Sequence, residues 1–219
     1  MAERRGRGSL VAIDGSDSAG VTQLAMTVHE MLNARGVSVL VSRWDASALF
    51  SDFVAAPAEE RDVSPRTLML LYAADLAFRL RWEIEPALAD GHMIVAAPYV
   101  ATAVAFGVAA GLSQEWLHTL FRFAPSAART VVLREEGPVR GWKRRPDRGF
   151  GECCTTLLEA TPEGFARKKA RTAMITALAT AAEGYGGPYR KKDRRALVDA
   201  LVTLHDRRAG SARSRRAAR

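Results

Sequence analysis

Short apolar runs alternate with longer amphipathic stretches along the first two-thirds of the chain. Residues 9–14 (SLVAID) are apolar and partly β-branched, which predicts a buried strand. Residues 15–20 (GSDSAG) are small and predict a tight loop. From 21 to about 35, Leu24, Val28, Met31 and Leu32 recur at helical spacing, and Gly36 supplies a C-cap. Residues 37–41 (VSVLV) form a second strand, so one strand–loop–helix–strand unit closes within the first 41 residues. Ser64 and Pro65 suit the N-cap and first position of a long helix reaching about Asp90, with a kink near Glu85 imposed by Pro86. Residues 93–97 (MIVAA) and 130–133 (TVVL) give third and fourth strands. Helices are expected over 100–111, 114–123, 165–183 and 194–204, and no clear fifth strand follows Glu183. Strands alternating with helices specify an α/β fold with a parallel sheet of four or five strands and helices on both faces.

Composition narrows the class. A chain of 219 residues that is 48% hydrophobic can bury one substantial core. No uninterrupted apolar window of about 18 residues occurs, so no membrane span is expected. No signal-peptide pattern opens the chain, and a cytoplasmic protein is the expectation. The adjacent Cys153 and Cys154 read as reduced thiols, because a bridge between neighbours is strained.

The charge is uneven. Basic residues outnumber acidic ones 32 to 24, and all but five of the basic residues are arginine. Residues 1–8 form a basic arm. Residues 134–152 (REEGPVRGWKRRPDRGFGE) form a basic Gly/Pro-rich loop expected to be exposed. No acid follows Asp206, whereas Arg207, Arg208, Arg213, Arg215, Arg216 and Arg219 do. Residues 206–219 are therefore expected to be a disordered tail beyond a domain over 9–205. Such tails attract nucleic acid or acidic proteins, or they are simply solvated.

The sharpest local feature is Gly15-Ser16-Asp17-Ser18-Ala19-Gly20-Val21-Thr22. It matches the phosphate-binding pattern G-x-x-x-x-G-K-[ST] between a strand and a helix, except that Val21 replaces the lysine. Glycines let backbone N–H groups turn toward a phosphate, and the helix N-terminus adds partial positive charge. Thr22 could hold Mg²⁺. The lysine normally supplies a cation as charge develops in phosphoryl transfer, and Val cannot. The four histidines show no metal-ligand spacing, and no Ser-His-Asp constellation is visible.

Several further segments resemble the thymidylate kinase family of P-loop nucleoside-monophosphate kinases. They are Ser64-Pro-Arg-Thr-Leu-Met-Leu-Leu-Tyr-Ala-Ala-Asp75, Glu85-Pro-Ala-Leu-Ala-Asp-Gly91 with the strand after it, Gly111-Leu-Ser-Gln-Glu-Trp116, and Phe121-Arg-Phe-Ala124. Their order and spacing match over about residues 9–180. The resemblance implies a P-loop NTPase fold, ATP and Mg²⁺ as cofactors, and transfer of the ATP γ-phosphate to dTMP or a related monophosphate. It also implies a homodimer through helices carrying Leu68, Leu71, Phe78, Val104 and Val108, residues that could equally be core.

The resemblance exposes substitutions where chemistry is expected. The family's strand-ending Asp-Arg pair, which serves Mg²⁺ and the acceptor phosphate, falls on Ala97 and Pro98. A second phosphate-contacting Arg falls on Leu76, and a base-reading Gln on Gly107. Asp17, Arg43, Tyr72 and Tyr99 stand where the resemblance implies acceptor-nucleotide contacts. Arg144, Arg145 and Arg148 match the mobile lid. The resulting expectation is a thymidylate-kinase-like protein without phosphoryl transfer, kept for binding or scaffolding. The alternatives are an active monophosphate kinase with displaced cations, and a nucleic-acid-binding or scaffold protein using its Arg-rich termini.

Overall fold

A computed structural model of the chain describes residues 8–44, 46–48, 64–133, 167–185, 187–190 and 193–217. Strand β1 (Ser9–Gly15) leads into helix α1 (Ser18–Asn33) and strand β2 (Val39–Arg43). Helix α2 (Pro65–Arg79) continues through a π-helical turn (Leu80–Ile84) into α3 (Glu85–Ala89). Strand β3 (Met93–Ala97), α4 (Val100–Ala109), α5 (Gln114–Leu120) and β4 (Arg129–Leu133) follow. Then come α6 (Arg167–Glu183) and α7 (Arg194–Ala217).

The four strands are parallel in the order β2-β3-β1-β4. Successive side chains alternate between faces, as the period of two demands. Leu10, Ala12, Ile94, Ala96 and Val132 join one core with α2, α4, α5 and α6. Val11, Ile13, Met93, Val95, Val131 and Leu133 join a second core with α1 and α7. Both faces are covered, as near-continuous apolar strands require. This is an α/β P-loop NTPase architecture. A trace of a fifth strand is present: Tyr189 makes a parallel bridge to Leu133, and its N–H donates to Val132 O at 2.8 Å.

Local chemistry explains the boundaries. Ser64 Oγ accepts the Thr67 N–H at 3.1 Å and Pro65 opens α2, as the sequence predicts. The Pro86 kink takes the form of the π turn, in which the Glu85 N–H bonds Leu80 O. A ring at position 86 cannot donate to the helix and crowds the carbonyl four residues earlier, so the wider turn relieves the conflict. Gly36 adopts φ 75° after α1, and Val37 N–H bonds Leu32 O at 3.1 Å, a Schellman ending that favours glycine.

Two expectations require correction. Helix α1 starts at Ser18, three residues earlier than predicted, so half of the expected loop over 15–20 is helix. Asp17 is extended and occupies the N-cap position without a side-chain cap bond, and Ala19 has a high helix propensity. The tail expected to be disordered from 206 onward is helical through Ala217. Ala and Arg are among the best helix formers, and arginines near a helix C-terminus complement its dipole. Residues 134–152 and most of 46–63 lie outside the described residues, as do Cys153 and Cys154. No helix among the described residues is long and apolar enough to cross a membrane.

Candidate functional site

In open parallel sheets ligands bind beyond the carboxyl ends of the strands, where neighbouring connections diverge. Here β1, β2 and β3 end at Asp14-Gly15, Ser42-Arg43 and Ala96-Ala97. Asp14 is fully buried. Its Oδ1 accepts three bonds: from Tyr99 N–H at 2.8 Å, Thr102 N–H at 3.0 Å and the Thr102 hydroxyl at 2.7 Å. Thr102 Oγ1 in turn accepts the Gly15 N–H at 3.1 Å. The Oδ2 atom has no hydrogen-bond partner. Burial raises the Asp14 pKa above its ordinary 3.8, and the bonds from Thr102 and Tyr99 offset only part of that rise.

A second tie crosses the same edge. Arg79, in the last turn of α2, is completely buried. Its Nε donates to Ser42 Oγ at 3.0 Å, Nη2 to Ser42 O at 2.9 Å and Nη1 to Pro98 O at 3.1 Å. The Ser42 hydroxyl donates to Glu83 Oε2 at 2.6 Å, so the guanidinium reaches a carboxylate through one hydroxyl. Tyr72 OH donates to Tyr99 O at 2.7 Å, and Tyr99 OH donates to Pro125 O at 2.8 Å. Both phenols are pushed well above the ordinary tyrosine range, first by burial and also by the Asp14 carboxylate, against the opposing pull of Arg79.

The expected site residues are only partly assembled. Gly15 ends β1, Ser16 is buried, and Asp17 and Ala19 are exposed; the backbone of Ser18 begins α1. Val21 is 1% exposed, and its N–H already donates to Asp17 O at 2.9 Å. A Cβ on Gly15 would meet Val21 Cγ2 at 2.9 Å and Leu133 Cβ at 3.2 Å. One on Gly20 would meet Asp17 Oδ2 at 2.6 Å and Leu133 Cδ2 at 2.9 Å. The glycines therefore admit the protein's own side chains. A methyl group, a carboxylate and a leucine pack where a side chain at 15 or 20 would stand. Thr22, the residue that would hold Mg²⁺, is half-buried beside this turn, and the first-turn N–H groups of α1 are the donors that a phosphate would take.

The substituted positions expected on the acceptor side are also apolar and buried. Leu76, Ala97 and Pro98 are buried. A Cβ on Gly107 would approach Leu117 Cδ2 at 2.6 Å, so no side chain fits where the base-reading amide would stand. Tyr72 lies within the core, edge-on to Phe121 with ring centroids 5.8 Å apart. Tyr72 and Tyr99 meet through their hydrogen bond. Asp17 and Arg43 are exposed, and no hydrogen bond among the described residues joins either to that pair. Arg144, Arg145 and Arg148 lie outside the described residues. Of the residues suited to an interface, Leu68 is core, Leu71, Val104 and Val108 are half-buried, and Phe78 is exposed.

Sequence reasoning missed Arg79, Asp14, Ser42 and Thr102. A signal for Arg79 is present: it continues the stripe Leu68, Tyr72, Leu76 at helical spacing, so it belongs to the buried face despite its charge.

Two outcomes follow from this geometry. Arg79→Met leaves the Ser42 and Pro98 carbonyls buried without their donors and should lower unfolding free energy by roughly 2–4 kcal/mol in urea titration. Arg79→Lys, with a single ammonium, should recover only part of it, and a Met variant as stable as the parent would contradict the tie. For Asp14 the folded state holds a proton more tightly than the unfolded chain. Its contribution is therefore favourable at low pH and is lost as pH rises above 3.8 through the folded pKa. Asp14→Asn retains the acceptor oxygen and removes the charge. The variant should gain on the parent between about pH 3 and pH 7, and parallel stability profiles would refute the assignment.

Comparison with known proteins supplies the family. Residues 13–145 match the family model for thymidylate kinase. The thymidylate kinase of Desulfosudis oleivorans is 30% identical over 144 residues, 61% of this chain and 67% of that protein. The thymidylate kinase of Brachyspira hyodysenteriae is 24% identical over 116 residues, 53% of this chain and 57% of that protein. Probable thymidylate kinase 2 of Saccharolobus solfataricus is 27% identical over 128 residues, 58% of this chain and 60% of that protein. The match thus spans less than two-thirds of the latter two relatives. With the parallel sheet and the strand–loop–helix unit at its start, this chain belongs to the thymidylate kinase family.

Proposed function

We propose that this family member does not transfer phosphoryl groups and acts in the cytoplasm as a binding or scaffold protein. The observation that carries the reading is Val21. The residue at the position of the loop cation points into the core and packs on Gly15, 1% exposed. Removing one electrostatic stabiliser from a transfer site typically lowers the rate by about 10²–10³. Ala97, Pro98 and Leu76 take further charges away from the acceptor end, and Leu117 occupies the place of a base-reading side chain. The second reading, an active kinase for dTMP or a related monophosphate using ATP and Mg²⁺, is favoured by the names of the relatives. It requires Arg43 or the arginines at 144, 145 and 148 to replace the missing cations.

A coupled assay with ATP, Mg²⁺ and dTMP should give no dTMP-dependent ADP release. Turnover on the order of 1 s⁻¹, the low end of ordinary enzymes, would overturn the reading. Val21→Lys should lower the melting temperature without creating activity, since the new ammonium must enter an apolar core or displace the first turn of α1. A homodimer belongs to the same reading, burying the exposed Leu70, Phe78 and Trp82. Analytical ultracentrifugation should then give twice the chain mass, and a monomer at micromolar concentration would exclude it.

A further inference from the structure

We infer that the outer edge of β2 and the groove beside it take an extended basic peptide of a partner protein, added to the sheet as a further strand. Strand β2 ends the order β2-β3-β1-β4, so no strand among the described residues pairs with its far side. Its hydrogen-bonding direction is set where it begins: Met93 N–H donates to Ser38 O at 3.0 Å. A parallel ladder then turns the N–H and C=O groups of Leu40 and Ser42 toward β3, and those of Val39, Val41 and Arg43 outward. Edge strands are commonly blunted by lysine, proline or a bulge. Val39–Arg43 (VLVSR) has no lysine or proline, keeps an unbroken register with β3 and carries one charge, at its last residue.

An open groove of about 450 Å³ runs beside this edge, a size within the range of ligand sites. Leu40 and Ile94, register neighbours on β2 and β3, line it from the sheet, and Trp82 and Pro86 line it from the helical side. Leu40 is 46% exposed, and Trp82 is 66% exposed even with Arg81 over its ring at 5.5 Å. Large apolar side chains thus stand at solvent beside outward-facing backbone. The charged lining is acidic. Glu83 and Asp90 line the groove with His92, and no lysine or arginine among the described residues does, in a chain with 32 of them. The cations nearby are Arg79, which reaches Glu83 through Ser42, Arg81 over Trp82, and Arg43 at the strand end. The two carboxylates stand at opposite ends. Glu83 accepts the Ser42 hydroxyl at 2.6 Å, near the carboxyl end of β2. Asp90 follows α3 at the amino end, two residues before His92, whose Nδ1 meets Ser38 Oγ at 2.6 Å. Four residues, about 13 Å of strand, separate Ser38 from Ser42.

This spacing selects the occupant. A strand paired with Val39, Val41 and Arg43 turns every second side chain toward the groove. Basic side chains four residues apart reach the two carboxylates, and an apolar one midway lies between Leu40 and Trp82. The segment is therefore basic-x-apolar-x-basic, with main-chain bonds supplying affinity and the groove selecting side chains. The groove is distinct from the turn at 15–22, so the inference stands whether or not the chain transfers phosphate.

The test is fluorescence anisotropy of the full chain with a labelled Ser-Thr-Arg-Thr-Val-Thr-Arg-Thr-Ser peptide at about 50 mM salt. Saturable binding is expected, and a peptide with Glu for both Arg should not bind. N-methylating the central Val and the Thr after it removes a donor facing β2 whichever way the peptide runs, and should weaken binding about tenfold. Val41→Pro removes an outward donor at a position where an edge strand tolerates proline, and should weaken binding by a similar factor with the circular dichroism spectrum retained. Val41 lies off the helical surface assigned to the homodimer, so the sedimenting mass should not change. Asp90→Asn should weaken binding and flatten its salt dependence. No binding at millimolar peptide would overturn the proposal, as would equal binding of the Glu or N-methylated peptides. A Val41→Pro chain of half the parent's sedimenting mass, with no peptide bound by the parent, would assign the edge to a second copy and overturn it as well.

Discussion

A guanidinium with no route to solvent governs the carboxyl edge of this sheet. Arg79 enters from the end of α2 and spends its donors on Ser42 Oγ, Ser42 O and Pro98 O. A buried cation is tolerable only when it is well hydrogen-bonded, and here three of its five N–H groups donate to the ends of two strands and, through Ser42, reach Glu83. Asp14 performs the complementary task on β1, collecting three donors from the segment after β3. Together they hold α2, α4 and three strand ends in one arrangement. The polar side chains of these strand ends are directed at one another.

The same closure extends to the loop. Gly15 and Gly20 let Val21, Asp17 and Leu133 pack where a side chain at either position would collide. An early helix start uses the Val21 N–H internally. Val21, Leu76, Ala97 and Pro98 are all buried, so the four positions that the resemblance marks as changed are packed in this fold.

Much of the architecture is legible in the sequence because it rests on local periodicity. The apolar runs at 9–14, 93–97 and 130–133 are strands with both faces covered, and their alternation with amphipathic helices leaves few topologies open. The Ser64-Pro65 start and the Pro86 disturbance also follow from side-chain chemistry next to the backbone. The identity of the substituted positions, including Val21 and Ala97, is likewise visible. The outcome of long-range pairing is not. Arg79 looks like a surface arginine until the strand ends that accept its hydrogen bonds are in place, and Asp14 looks like a strand terminus until Thr102 is beside it. The helical tail is hidden for a different reason: residues 207–217 have no apolar periodicity to betray the helix.

Ligand-induced thermal stabilisation tests the closed edge most directly. A nucleotide present at about 100 times its Kd adds about 2.7 kcal/mol to the stability of any fold that binds it. For this chain, millimolar ATP–Mg²⁺ and dTMP, alone and together, should leave the melting temperature where it stands without them. A rise of several degrees with either, abolished by mutation of Thr22 or Tyr99, would show that the strand ends open to receive phosphates and would contradict the account.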